Sequence, residues 1–162
     1  MQVLTAAQMR DADADACARV GESIIMATAG RRIAALIQRY ARSNRVVAFA
    51  GPGNNGGDAY AALAELDSSF DRRIYAARTE KPSSARADAQ RRARQAGVRM
   101  LHFPETPTDA RQAVEDAGIV IDALFGTGAR LPMQDPYATA ARAINNSDSI
   151  VLCVDIPSGI DA

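Results

Sequence analysis

Apolar residues recur along this chain at two different periods. Over the first forty or so residues they fall at helical spacing; beyond that, short continuous apolar runs alternate with amphipathic stretches. Thr5-Ala6-Ala7-Gln8 has the form of a capping box, in which Gln8 reaches back to the backbone N–H of the cap. It predicts a helix running to about Val20. A second helix, over 23–42, carries Ile25, Ala29, Ile33, Leu36, Ile37 and Tyr40 along one side. The apolar runs then predict strands at 45–50, 73–77, 98–103, 119–124 and 149–156. Helices at 57–66, 84–96, 108–116 and 136–144 separate or follow them, with Thr108 capping the one that it begins.

Strands that are apolar throughout, each followed by a helix, belong in a parallel sheet covered on both faces. Right-handed crossovers then favour an α/β, Rossmann-like, doubly wound sheet, mostly parallel, with helices on both faces and two helices preceding it. No repeat, low-complexity tract or linker interrupts the pattern, so residues 1–162 read as a single domain. The chain stops just after a strand-and-loop signal, which predicts an exposed sheet edge.

Composition narrows the function. With 48% hydrophobic residues, 23% charged and no net charge, the chain has the make-up of an ordinary soluble domain, without the charge excess that draws nucleic acid or a membrane surface. No apolar run is long enough to span a membrane. The start, MQVLTAAQMRDADADA, lacks the pattern of a signal peptide, so a cytoplasmic location is expected. Cys17 and Cys153 are too far apart in sequence for a zinc motif or a disulfide framework and read as buried thiols. Lys81 is the only lysine and lies in a predicted loop, and His102 is the only histidine. Neither a Schiff base nor a Ser/His/Asp triad is readily built from them.

With sheet order 3-2-1-4-5, ligands collect beyond the carboxyl ends of the strands, at the loops following strands one, four and five. Those loops hold the unusual residues: GPGNNGGD at 51–58, DALFGTGARLP at 122–132 and DIPSGID at 155–161. The glycines at 51, 53 and 56 match a dinucleotide fingerprint. The acidic ribose partner expected about twenty residues later is missing, however, and Arg78 stands there instead. Asp58, near the start of a helix, already answers the helix dipole, so Gly126-Thr127-Gly128 is the better cradle for phosphate. Asp58, Asp122 and Asp155, with Asn55, Ser158 and backbone carbonyls, form an all-oxygen set. Such a set suits an alkali or hard divalent cation better than zinc.

Those loops, together with LTAAQMRDAD and ESIIMATAG at the first two helices, resemble the NAD(P)HX epimerase family, the YjeF N-terminal domain family, over essentially the whole chain. The resemblance implies a homodimer that interconverts the R and S forms of NADHX and NADPHX, nicotinamide cofactors hydrated on the ring. It also implies functional coupling to an NAD(P)HX dehydratase. Carried over by position, Asn54, Asn55, Gly56, Gly57 and Asp58 contact substrate, as do Gly126, Thr127, Gly128, Ala129, Arg130, Leu131, Pro132 and Asp155. The resemblance further implies that Asn55, Asp122 and Ser158 hold one potassium ion per subunit. The hydroxyl at C6 is part of a hemiaminal, so its loss and return can invert that centre; Asp155 is the first choice of general acid and base, and Asp58 the second. The chain departs from the family pattern at Ala59, where glycine is usual, and at Ala27, where glutamate is common. The family domain also continues past D-I-P-S-G-x-D, so its C-terminal part is expected to be missing here. The competing readings are a non-catalytic nucleotide-binding or dimerisation module of the same fold, and an NAD(P)-dependent dehydrogenase lacking an obvious catalytic group.

Overall fold

The computed structural model describes residues 5–128 and 132–160. Thr5 caps α1 (Ala6–Val20) as expected. Its hydroxyl accepts from the Gln8 amide at 3.3 Å, and Gln8 Oε1 accepts from the Thr5 amide at 2.9 Å, an arrangement that stabilises a helix by about 1 kcal/mol. Gly21, at φ 87, turns the chain into α2 (Glu22–Tyr40).

Five strands follow: β1 (Arg45–Ala50), β2 (Asp71–Ala76), β3 (Arg99–His102), β4 (Ile119–Ala123) and β5 (Ile150–Cys153). They lie in the order β3-β2-β1-β4-β5, and every pairing is parallel. The crossover helices are α3 (Asn54–Glu65), α4 (Ser84–Gln95), α5 (Pro107–Val114) and, before β5, α6 (Tyr137–Asn145). The twofold alternation of β1 divides the core. Val46, Ala48 and Ala50 pack with α2, α3 and α4, whereas Val47 and Phe49 pack with α5 and α6. The expected sheet order and two-sided cover are therefore present. At the sheet edge, β5 is paired only with β4 among the described residues, and Val151 is exposed.

Several boundaries differ from expectation for local reasons. Helix α3 starts at Asn54, three residues early, because Gly53 already takes the extended N-cap conformation. The N-N-G-G-D run is consequently a first helical turn, not a loop. Helix α5 is capped by Thr106 rather than Thr108: Thr106 Oγ1 accepts from the Asp109 amide at 3.2 Å, and Pro107 occupies the first turn, where it sacrifices no hydrogen bond. Strand β5 ends at Cys153, not residue 156, because Asp155 at φ 68 cannot continue a strand. In α2 the buried stripe is Met26, Gly30, Ile33, Ala34 and Ile37, while Leu36 and Tyr40 are exposed. Among the described residues no helix is long and apolar enough to cross a membrane.

Arg72 is buried under the ends of α3 and α4. It donates to the carbonyls of Leu63, Leu66 and Ala96, groups left open where those helices end. Replacing it with methionine keeps the volume but strands those acceptors. Arg72→Met should lower unfolding stability by about 3 kcal/mol, read as a shift in the urea midpoint at unchanged slope.

Candidate active site

Asp122 lies inside β4, only 6% exposed. Its carboxylate reaches across to the segment after β5: Oδ2 accepts from the Ser158 amide at 2.9 Å, and Oδ1 from the Ser158 hydroxyl at 2.6 Å. Oδ1 also receives the Leu124 amide at 3.3 Å. Ser158 Oγ in turn accepts from the Phe125 amide at 3.1 Å and lies 3.2 Å from the Phe125 carbonyl. One buried carboxylate thus joins the loops after β4 and β5, while the backbone of β1 is tied to the same place by Gly51 N–H donating to Ala123 O at 2.9 Å. Gly51 has to be glycine for that approach, since a Cβ would collide with the Leu124 carbonyl.

Asp155 occupies a left-handed position, which aspartate tolerates better than most residues. Its Oδ2 accepts from the Thr127 amide at 2.8 Å. Gly126 lies against the same carboxylate closely enough that a Cβ there would strike it. Asn54 is held from both sides: its amide nitrogen donates to Glu22, and its oxygen accepts from the Ser83 hydroxyl at 2.9 Å. Asn55 Nδ2 is buried and has no hydrogen-bond partner among the described residues.

These groups border a cavity of about 730 Å³ between α1, α2 and the carboxyl ends of the sheet. Asn54, Asn55, Asp58, Gly126, Thr127, Gly128 and Asp155 all line it. Asp122 and Ser158 stand together behind that wall. Gly56 and Gly57 are buried and serve packing, a Cβ on Gly56 meeting Arg86 and one on Gly57 meeting Met26. Pro132 is exposed and lies apart from the cavity; Ala129, Arg130, Leu131 and Asp161 fall outside the described residues. Ala59 is fully buried, its methyl part of the core under α3.

The sequence reading did not anticipate Asp13, Glu22, Arg32, Cys17 or Cys153 in this wall. The cysteines are half-buried cavity groups and not the core thiols expected. Asp13 sits in an unremarkable acidic helix, and only the docking of α1 on α2 brings it here. With Glu22 and Asp155 it matters to Asp58. Burial, reinforced by the charges of Asp155, Asp13 and Glu22, lifts the Asp58 carboxyl to about 7. The cavity therefore contains a carboxyl group poised to hold or release a proton near neutrality.

For a cation, the donors that converge are one carboxylate (Asp122), one hydroxyl (Ser158) and one backbone carbonyl (Phe125), all hard oxygens. Among the described residues no three His, Cys, Asp or Glu side chains gather to form a metal site. One negative charge among neutral oxygens fits a monovalent ion. The orphaned amide of Asn55 agrees with this, because its oxygen and nitrogen exchange places by a simple flip of the side chain.

A doubly wound sheet with an acidic cavity at its strand ends defines a Rossmann-like α/β domain whose cavity lies at the topological switch point. The chain belongs to the family described as YjeF-related protein N-terminus, which matches residues 22–162. It is 36% identical over 138 residues to the bifunctional NAD(P)H-hydrate repair enzyme Nnr of Archaeoglobus fulgidus, covering 85% of this chain and 28% of that protein. The NAD(P)H-hydrate epimerase of Limosilactobacillus fermentum is 32% identical over 164 residues, 99% of this chain and 76% of the relative. The chain thus spans less than a third of the bifunctional relative and about three quarters of the epimerase. The crystal structure of yeast ynu0, YNL200c, superposes with a TM-score of 0.82 at 19% identity over 99% of this chain and 72% of that one, a likeness of fold.

Between pH 3.8 and about 7 the folded protein keeps the Asp58 proton that an unfolded chain has released. The folded state then binds more protons, and this group's contribution to stability falls as pH rises through the window. Asp58→Asn should therefore raise the melting temperature at pH 8, with the gain shrinking toward pH 4. Thermal melts of both proteins across that range check it.

Proposed function

We propose that this protein epimerises the R and S forms of hydrated NADH and NADPH, acting as an NAD(P)H-hydrate epimerase in repair of nicotinamide cofactors. The observation that carries the reading is the carboxyl pair Asp58 and Asp155 on one cavity, coupled by charge, with Asp58 titrating near 7. Loss of the C6 hydroxyl requires a proton on the departing oxygen, and a carboxyl that is still half protonated at neutral pH can supply it. As the C6–O bond breaks, the ring nitrogen lone pair forms an iminium cation, and water is released. The nearby carboxylates Asp13 and Glu22 stabilise that positive charge. Water then re-adds at either face of C6 while a carboxylate takes its extra proton, so both epimers form and the atoms balance.

Asp155 remains our first assignment for the acid and base at the hydroxyl, with Asp58 as the group that shares and stores the proton. The substrate's phosphates belong at the glycine turn 126–128 and the arginine that follows it in sequence. Asn54, Asn55 and Asp58 form the wall beneath the ring, with Gly56 and Gly57 packed behind it. A potassium ion held by Asn55, Asp122 and Ser158 would offset the local negative charge and fix the loops. Exposed apolar residues on the first two helices, among them Val20, Ile24 and Tyr40, support a homodimer. The free cysteines fit a reducing cytoplasm, and residues 1–162 read as one domain of this type. The bifunctional relatives support coupling to a dehydratase, fused or separate.

Supplied with mixed NADPHX epimers and an S-specific dehydratase, the protein should allow complete consumption of the R form. Asp155→Asn should slow that consumption by at least roughly a hundredfold with its melting temperature preserved. Near-normal activity rejects the residue's role, and binding without conversion in the parent rejects the activity in favour of a nucleotide-binding module. For the ion, potassium chloride should raise the melting temperature above that in lithium chloride at equal ionic strength. The difference should vanish in Ser158→Ala.

A further inference from the structure

A second cavity, of about 250 Å³, opens beyond β2 and β3, on the face covered by α3 and α4. Arg86, in the first turn of α4, forms its inner wall and is only 2% exposed. Its Nη1 donates to the Gly53 carbonyl, and the guanidinium lies over the Tyr60 ring, 5.4 Å from the centroid. No carboxylate compensates it among the described residues, and burial holds its pKa below the usual guanidinium value. The contrast with Arg72 is instructive. Arg72 spends its donors on three carbonyls, whereas Arg86 makes one such bond and lines an open space. A buried cation without a counter-charge is costly unless an anion joins it.

The rest of the pocket has the same character. Arg78 and His102 stand at its exposed rim, Thr79 and Gln90 complete the polar wall, and none of the lining residues is acidic. In dinucleotide-binding sheets the segment after the second strand meets the adenylyl ribose. An acidic residue there takes the 2′-hydroxyl, and an arginine accommodates a 2′-phosphate. Arg78 occupies that place, two residues beyond the end of β2.

Strand order makes this pocket reachable by the substrate proposed above. Asp155 follows β5, the glycine turn follows β4, and Arg78 follows β2, so ring, diphosphate and adenylyl ribose are met in that order across the sheet. From β5 to β2 is three strand spacings, about 14 Å, a distance that an extended dinucleotide bridges. The two cavities share a partition. Gly53 and Asn54 line the first, while Arg86 and Thr79 from the second hold the carbonyls of Gly53 and Pro52.

We propose that this pocket is a phosphomonoester subsite that takes the 2′-phosphate of the adenylyl ribose through Arg78 and Arg86 and makes the protein prefer the phosphorylated dinucleotide. The inference rests on the dinucleotide reading of the main cavity, but its test is separate. Calorimetry on the intact chain would compare adenosine 2′,5′-bisphosphate, its 3′,5′ isomer and 5′-AMP. The 2′,5′-bisphosphate should bind roughly tenfold or more tightly than 5′-AMP, the gain expected of charge-assisted bonds to one phosphate. Arg78→Ala, at an exposed position, should cut that ratio several-fold with an unchanged melting curve, and Arg86→Met should abolish it. Equal affinities for the bisphosphate and 5′-AMP overturn the proposal. So does equal binding of the two bisphosphate isomers, or a preference that survives in Arg78→Ala. Because binding is read and not turnover, an inactive protein that keeps the preference refutes the epimerase and leaves the pocket standing.

Discussion

The buried carboxylate of Asp122 is the constraint on which the site depends. A charge this deep in a parallel sheet costs several kcal/mol unless hydrogen bonds answer it. Here the answer comes from Leu124 and from both the amide and hydroxyl of Ser158. Because those donors belong to the segments after β4 and β5, satisfying the charge fixes one segment against the other. Phe125 then joins through the Ser158 hydroxyl, and Asp155 and Gly126 are set face to face a few residues away.

The wall opposite is built by a different device. Starting α3 at Asn54 places the two asparagines and Asp58 on one helical turn, and contacts from Glu22 and Ser83 hold that turn from α2 and α4. The result is a cavity in which four carboxylates, Asp13, Glu22, Asp58 and Asp155, surround limited space. Their mutual repulsion and the low polarity of the surroundings keep a proton on Asp58 near neutral pH. A dinucleotide carries its negative charge on phosphate, so this acidic end suits its ring, which becomes cationic when water departs. Arg32 is the basic group in that wall, and Arg78 and Arg86 gather at the second pocket.

Much of this was legible residue by residue. Val46 to Ala50 and Ile119 to Ile121 are apolar without interruption because both faces of their strands are buried, so a parallel sheet with two-sided cover followed from the pattern. The glycine and aspartate positions at 51, 122, 126 and 155 stood out because a close approach or a buried charge demands those residue types. The start of α3 was not legible, since Asn-Asn-Gly-Gly reads locally as a loop and becomes helical only when Gly53 caps it and α2 and α4 grip Asn54. The cap of α5 was misplaced because two threonines flank Pro107, and only the backbone direction shows that Thr106 has the free amide of Asp109 before it.

By itself, then, the sequence determined the layers of the fold and the three segments that carry the unusual residues. Those are consequences of periodicity and of residues that only one backbone geometry tolerates. Tertiary structure decided which carboxyl keeps its proton, which glycines line the cavity and which merely pack behind it, and that Arg86 is buried with no acid beside it among the described residues. Such properties arise from charges and surfaces brought together across distant segments, from Asp13 to Asp155, and local patterning does not encode a neighbour 142 residues away.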